Sequence, residues 1–178
     1  MSGTPHHREN SVSQTPDPRQ AKAFRFVRHR YADGVAELAY AFDDGEELVE
    51  RVHFPAAPAL APGREQAFAA ALRLLHLIAG VSYYKAGLPP RIEVAGEPLD
   101  EATADLLDEL YVHGLAELAY RNGLDLRGRI RFPRGAAAPA PAPALGLPKR
   151  TLVPLGGGKD SLVAVEALKQ TGFDATVA

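Results

Sequence analysis

From Phe24 the chain alternates between apolar and polar positions, with Phe24 and Phe26 set against Arg25 and Arg28, and a second run carries Val35, Glu37, Leu38, Tyr40 and Phe42. Asp33-Gly34 and Asp44-Gly45 are turn signals between these runs and a third, residues 47–54. The pattern predicts an antiparallel meander of three strands. Pro55, Pro58 and Pro62 make a connector, after which Phe68, Ala71, Leu72, Leu75, Ile78 and Ala79 recur at helical spacing. Leu77 falls on the opposite side, so this helix is expected to be covered on both sides. Gly80 to Gly87 reads as a polar, aromatic loop, and residues 91–94 as a short strand. Asp100 can cap a long helix with Leu106, Leu107, Leu110, Gly114 and Leu118 as its apolar stripe, closed by Gly123 after Asn122.

Alanine and proline dominate residues 133–148, a composition that favours extended geometry and a spacer. Beyond it, Thr151 to Leu155 reads as a short buried strand, Gly156 to Ser161 as a turn, Leu162 to Gln170 as a helix closed by Gly172, and Phe173 to Val177 as a second strand. The expected organisation is a disordered arm (1–23), an α+β domain (24–132), an Ala/Pro linker (133–150) and a truncated nucleotide domain (151–178). Two strands and one helix cannot cover both faces of a parallel sheet, so the chain is expected to be an N-terminal fragment, inactive alone.

Charge and composition narrow the function classes. The formal charge of −2 over 178 residues divides into +4 for residues 1–30, −8 for 31–133 and +2 for 134–178. This gives no global basic excess for coating nucleic acid, although the basic arm could touch RNA or an anionic substrate. Zero cysteines exclude disulfides, thiolate zinc sites and a Cys nucleophile, and fit a reducing, cytoplasmic setting. Arg73 and His76 interrupt the most apolar helix pattern, and residues 1–20 lack the apolar core of a signal peptide, so no membrane partner is expected.

The chemistry is concentrated in Gly156-Gly157-Gly158-Lys159-Asp160-Ser161. Glycines between a strand and a helix let the backbone approach an anion, and the helix start presents unpaired N–H groups. The Walker pattern fails, because Val153 stands at its first Gly and Asp160 follows Gly158-Lys159. The loop instead resembles the pyrophosphate loop of the ATP pyrophosphatase family, Ser-Gly-Gly-X-Asp-Ser, with Gly156 where Ser is common. That resemblance implies that Gly156, Gly157 and Gly158 wrap ATP phosphates, Ser161 donates its hydroxyl, Lys159 neutralises the departing pyrophosphate, and Asp160 fixes the loop by capping the helix. The plain alternative is a glycine-rich turn with an ordinary cap.

Upstream, Phe26-Val27-Arg28-His29-Arg30-Tyr31, Gly80-Val81-Ser82-Tyr83-Tyr84-Lys85 and Tyr111-Val112-His113-Gly114-Leu115, taken with residues 155–161, resemble the family of UDP-N-acetylmuramoyl-L-alanyl-L-glutamate epimerases (MurL). The resemblance runs from about Phe24 to the last residue. It implies an α+β N-terminal domain followed by the start of an α/β pyrophosphate-loop domain of the adenine nucleotide alpha hydrolase-like class. The implied reaction uses ATP and Mg2+ to invert the terminal L-Glu of UDP-MurNAc-L-Ala-L-Glu, giving D-Glu, AMP and pyrophosphate. Adenylating the carboxylate would make the α-proton removable, because the carbanion then delocalises into a neutral acyl group. Other readings stay open: an amide-forming or tRNA-thiolating adenylating enzyme, or a non-catalytic interaction module.

Tyr83, Tyr84 and Lys85 are candidates for the acid and base, against a reading in which one Tyr is core and Lys85 is solvated. His76 and His113 read as packed or surface histidines, and Asp105, Asp108 and Glu109 as helical surface charge. No metal-ligand set is assigned.

Overall fold

The computed structural model describes residues 17–57, 59–135, 144–146, 150–153, 156, 158–172 and 174–177. It divides into two compact units, residues 1–142 and 143–178.

In the first unit β1 (Ala23–Ala32), β2 (Val35–Phe42) and β3 (Leu48–His53) form the expected meander. The β1–β2 turn takes Asp33 and Gly34 to φ of 51° and 76°, the mirror-image turn whose twist matches flanking strands. After α1 (Glu65–Ala79) and the single turn α2 (Val81–Tyr84), β4 (Arg91–Val94) returns parallel to β1, giving the mixed sheet order β3-β2-β1-β4. Two helices follow, α3 (Glu101–Gly114) and α4 (Ala116–Arg121). The fold class of this unit is α+β, as expected.

One inserted residue decides which side of the sheet is chemical. In β1, Phe26 pairs with Tyr40 but Arg28 pairs with Ala39, so Val27 is a bulge. Without it, strict alternation would turn Arg28 and Arg30 inward after Phe24 and Phe26. With it, His29 and Tyr31 join the core face and Arg28 and Arg30 join Arg25 outside. The outer face is therefore an ion-pair lattice centred on Glu37, which lies 2.6 Å from Arg30 and 3.1 Å from Arg51. Hydrogen bonding from Arg30, reinforced by Arg51, holds the Glu37 carboxyl down at about 2.

On the inner face Phe24, Phe26 and Tyr40 meet Tyr84, Tyr111 and Phe132 in edge-on, tilted and stacked contacts. Hydroxyls of this layer satisfy carbonyls at the end of α1: Tyr40 donates to His76 O at 3.0 Å and Tyr111 to Leu77 O at 2.7 Å. Gly80 links α1 to α2 beneath Phe26 and Tyr111, where a side chain would have no room.

Two helix faces differ from expectation. The deepest residues of α1 are His76 and Leu77, whereas Leu72, Leu75 and Ile78 are half-buried and Ala71 is exposed. Apolar spacing marks the side richest in hydrocarbon; the contact is set by the side that meets the aromatic layer. His76 is tolerated there because its Nε2 lies 3.0 Å from the Ala39 carbonyl beside the bulge. Glu65–Tyr84, 20 residues, is by length and composition apolar enough to cross a bilayer, so Arg73 and His76 interrupt it less than expected. The hydroxyl bonds just described tie it to β2 through Tyr40 and to α3 through Tyr111.

The expected single helix from Asp100 to Gly123 breaks at Leu115, and its buried stripe is Ala104, Leu107, Tyr111, Leu115 and Ala119; Leu106 is exposed. Tyr111 sets this rotation because its ring packs on Tyr84 and Phe132 while its hydroxyl reaches Leu77 O of α1. Asp100 does cap, accepting from Thr103 N at 2.8 Å, and Gly123 takes a φ of 62°.

In the second unit β5 (Arg150–Val153) pairs in parallel with β6 (Asp174–Val177) around α5 (Lys159–Thr171). The strand was expected to be buried; Val153 is, but Leu152 is 67% exposed. Pro154, Leu155 and Phe173 lie outside the described residues, as does most of the expected Ala/Pro linker.

Candidate functional site

The glycine segment sits between β5 and α5, in a strand, loop, helix, strand order. Gly158 is the N-cap, extended at φ −89° and ψ 160°. Lys159 opens the helix, so Lys159, Asp160 and Ser161 occupy its first turn rather than the turn before it. This corrects the expected start at Leu162 by three residues. Asp160 is expected to cap and does not: among the described residues no side chain caps α5, and the Ser161 hydroxyl donates back to Gly158 O at 2.9 Å. Glycine at the cap position removes the competing side chain, leaving the first-turn N–H groups without a side-chain acceptor.

Gly156, Gly158, Lys159 and Asp160 are exposed and Ser161 is half-buried; Gly157 lies outside the described residues. A Cβ built on Gly156 or Gly158 would meet nothing within 4 Å, and neither has a positive φ. Glycine at these two positions is therefore required by no packing within the described chain. The space they leave open is at the positive end of a 13-residue helix, beside one Lys ammonium.

The candidate acid–base residues occupy a helical turn rather than a loop. Tyr84 is core, its hydroxyl donating to Pro89 O at 3.1 Å, and burial pushes it up to about 12. Tyr83 donates to Glu50 at 2.6 Å, and that bond to a carboxylate also raises it to about 12. Lys85 is exposed. Neither phenol is set up as a base near neutral pH.

His76 is packed, and burial lowers it to about 4. His113 is on the surface, 2.8 Å from Glu109. The acidic group on α3 is more than surface charge. Asp108 accepts the Phe132 N–H at 2.7 Å and pairs with Arg134 at 2.9 Å, while Arg134 also reaches Asp105. These contacts hold residues 130–134 against α3 along a groove of about 840 Å3 that also exposes Tyr120. Among the described residues no group of three or more His, Cys, Asp or Glu side chains could hold a metal ion. Sequence reasoning missed the convergence of His29, Arg73 and His76 around a second cavity, because it depends on the bulge at Val27.

A four-stranded mixed sheet backed by helices makes the first unit a mixed α+β domain. The chain belongs to the MurL N-terminal domain family, whose model matches residues 15–178. Among similar proteins, the UDP-N-acetyl-alpha-D-muramoyl-L-alanyl-L-glutamate epimerase of Xanthomonas oryzae pv. oryzae is 56% identical over 90% of this chain. Proteins of the same name from Salinispora tropica and a Micromonospora species are each 40% identical over 88% of it. The chain spans 36%, 35% and 36% of these three relatives, about a third of their length. No solved structure matches. The family resemblance drawn from the sequence words is thereby borne out.

Proposed function

We propose that the protein carrying this chain is an ATP-dependent epimerase that inverts the terminal L-Glu of UDP-MurNAc-L-Ala-L-Glu in peptidoglycan precursor synthesis, and that residues 156–161 bind the phosphates of ATP. The observation that supports the loop reading most is the pair Gly156 and Gly158, glycines that neither backbone conformation nor packing among the described residues demands, at a helix start those residues leave without a side-chain cap. The name of the relatives supplies the substrate.

ATP would supply activation of the terminal carboxylate, with pyrophosphate leaving. The residues of this chain then have three tasks. The N–H groups opening α5 donate to phosphate oxygens, which take the place of a cap. Lys159 supplies a point charge against departing pyrophosphate. Ser161 redirects its hydroxyl from Gly158 O to a phosphate oxygen, a rotation about one bond. Asp160 is the one carboxylate in the loop. Mg2+ would be held largely by phosphate oxygens and water, as its reluctance to dehydrate favours. The groups that move the α-proton are not assigned to Tyr83 or Tyr84, whose phenols are held protonated.

The test incubates the full-length protein with ATP, Mg2+ and UDP-MurNAc-L-Ala-L-Glu and resolves the glutamate enantiomers after hydrolysis. D-Glu is expected. L-Glu alone, with AMP released on another acceptor, would replace this reading with a different adenylating enzyme.

A further inference from the structure

The first unit contains a cavity of about 220 Å3 where β1 runs past the end of β4, lined by His29, Arg73 and His76 with Leu77, Val94 and Gly96. Its electrostatics are one-sided. Arg73 has a side chain only 21% exposed, and its nearest carboxylate among the described residues, Glu97, stands 4.0 Å off and is itself 81% exposed. The guanidinium otherwise reaches the Glu97 backbone carbonyl. A guanidinium withdrawn from water with so distant a counter-ion is costly unless another anion joins it.

His29 and His76 face each other with ring centroids 5.2 Å apart. Burial first and Arg73 second lower His29; burial first and His29 second lower His76, against the hydrogen bond to Ala39 O. Burial is thus the main force against protonating either ring, and at His29 it is joined by Arg73, a group that cannot lose its charge. Arg28 also borders the cavity but spends its guanidinium on Glu47 and Glu37 across the sheet. Glu97 is the acid on this side.

We propose that this cavity is a binding site for a single oxyanion, a carboxylate or a phosphoryl group, held by Arg73 and His29. Its volume lies below the ~300–1,000 Å3 of sites for drug-sized ligands, so it takes one group rather than a whole nucleotide. The apolar walls of Leu77 and Val94 lower the local dielectric and strengthen the contact. Binding is coupled to proton uptake: an anion beside Arg73 cancels the charge that disfavours His29 protonation, and by reciprocity a protonated His29 tightens the anion. The residues lining the cavity all belong to the first unit.

The experiment follows the imidazole resonances of His29 and His76 by 15N-edited NMR in the full chain, titrated in parallel with sulfate, whose charge is constant over the range, and with acetate. Saturable shifts at both rings are expected, with sulfate binding tighter at pH 5.5 than at pH 8, severalfold and at most about tenfold if His29 rises by about one unit on binding. Stronger sulfate binding assigns the site to phosphoryl groups, and stronger acetate binding to carboxylates. Arg73→Gln abolishes the shifts. His29→Gln, which keeps Arg73 in place, retains weak binding at His76 and loses the pH dependence. Rings unmoved by either ion, or identical titrations in a folded Arg73→Gln or His29→Gln protein, overturn the proposal.

Discussion

Replacing Gly80 with alanine sets two effects of opposite sign against each other. Gly80 is helical, at φ −56° and ψ −21°, so propensity alone would make alanine stabilising by about 1 kcal/mol. The structure predicts the reverse. An added Cβ would lie 2.9 Å from both Phe26 Cζ and the Tyr111 hydroxyl, and closer still to Phe26 Cε1. Neither neighbour can retreat, since Phe26 and Tyr111 are 1% and 0% exposed. Overpacking of this kind costs about 1–3 kcal/mol. Displacing Tyr111 also weakens its 2.7 Å bond to Leu77 O, a further ~1 kcal/mol. After the propensity gain, a net loss of about 2 kcal/mol remains. All six tyrosines lie in the first unit and the chain has no tryptophan, so tyrosine fluorescence in urea reports that unit. With a denaturant slope of about 2 kcal/mol/M, the midpoint should fall by about 1 M. Adding Phe26→Leu should recover part of the loss, giving a coupling that independent sites would not show. A midpoint equal to or above wild type would refute the packing described under the α1–α2 junction.

Other predictions concern charge and capping. His76, lowered to about 4 in the fold, binds its proton more readily when unfolded. Its contribution is therefore fully present above about 6.5 and lost as pH falls from there towards 4, a swing on the order of 3 kcal/mol. Urea midpoints measured from pH 7 down to 4.5 should decline, and less so in His76→Gln; a flat profile would contradict the burial of a neutral ring. Asp100→Ala removes the acceptor for Thr103 N and should cost about 1 kcal/mol, whereas Asp100→Asn should cost less. Equal stability of Asp100→Ala and wild type would count against the cap.

The sequence was most readable where local chemistry decides. Asp33-Gly34 needs positive φ at both residues, and Arg91–Val94, Asp100, Gly123 and Gly172 were placed correctly for similarly local reasons. It misled where partners decide. The most apolar residues of α1 and α3 mark one stripe, but rotation is set by Tyr40 and Tyr111 reaching carbonyls of α1, contacts separated by more than thirty residues. The bulge at Val27 has no glycine to announce it, and with it went the convergence of His29 and Arg73. In the loop, residue types suggested the chemistry but not the helix start, since Gly158 caps without a side chain and Asp160 contributes only its charge.

The central claim is that residues 156–161 grip the phosphates of ATP during epimerisation. It is tested most directly by measuring AMP and D-Glu together in the full-length protein and in its Lys159→Ala and Ser161→Ala variants. The account predicts AMP in step with D-Glu for the wild type, and both falling together in each variant, with Lys159→Ala losing more. D-Glu formed without AMP, or wild-type rates in both variants, would contradict it.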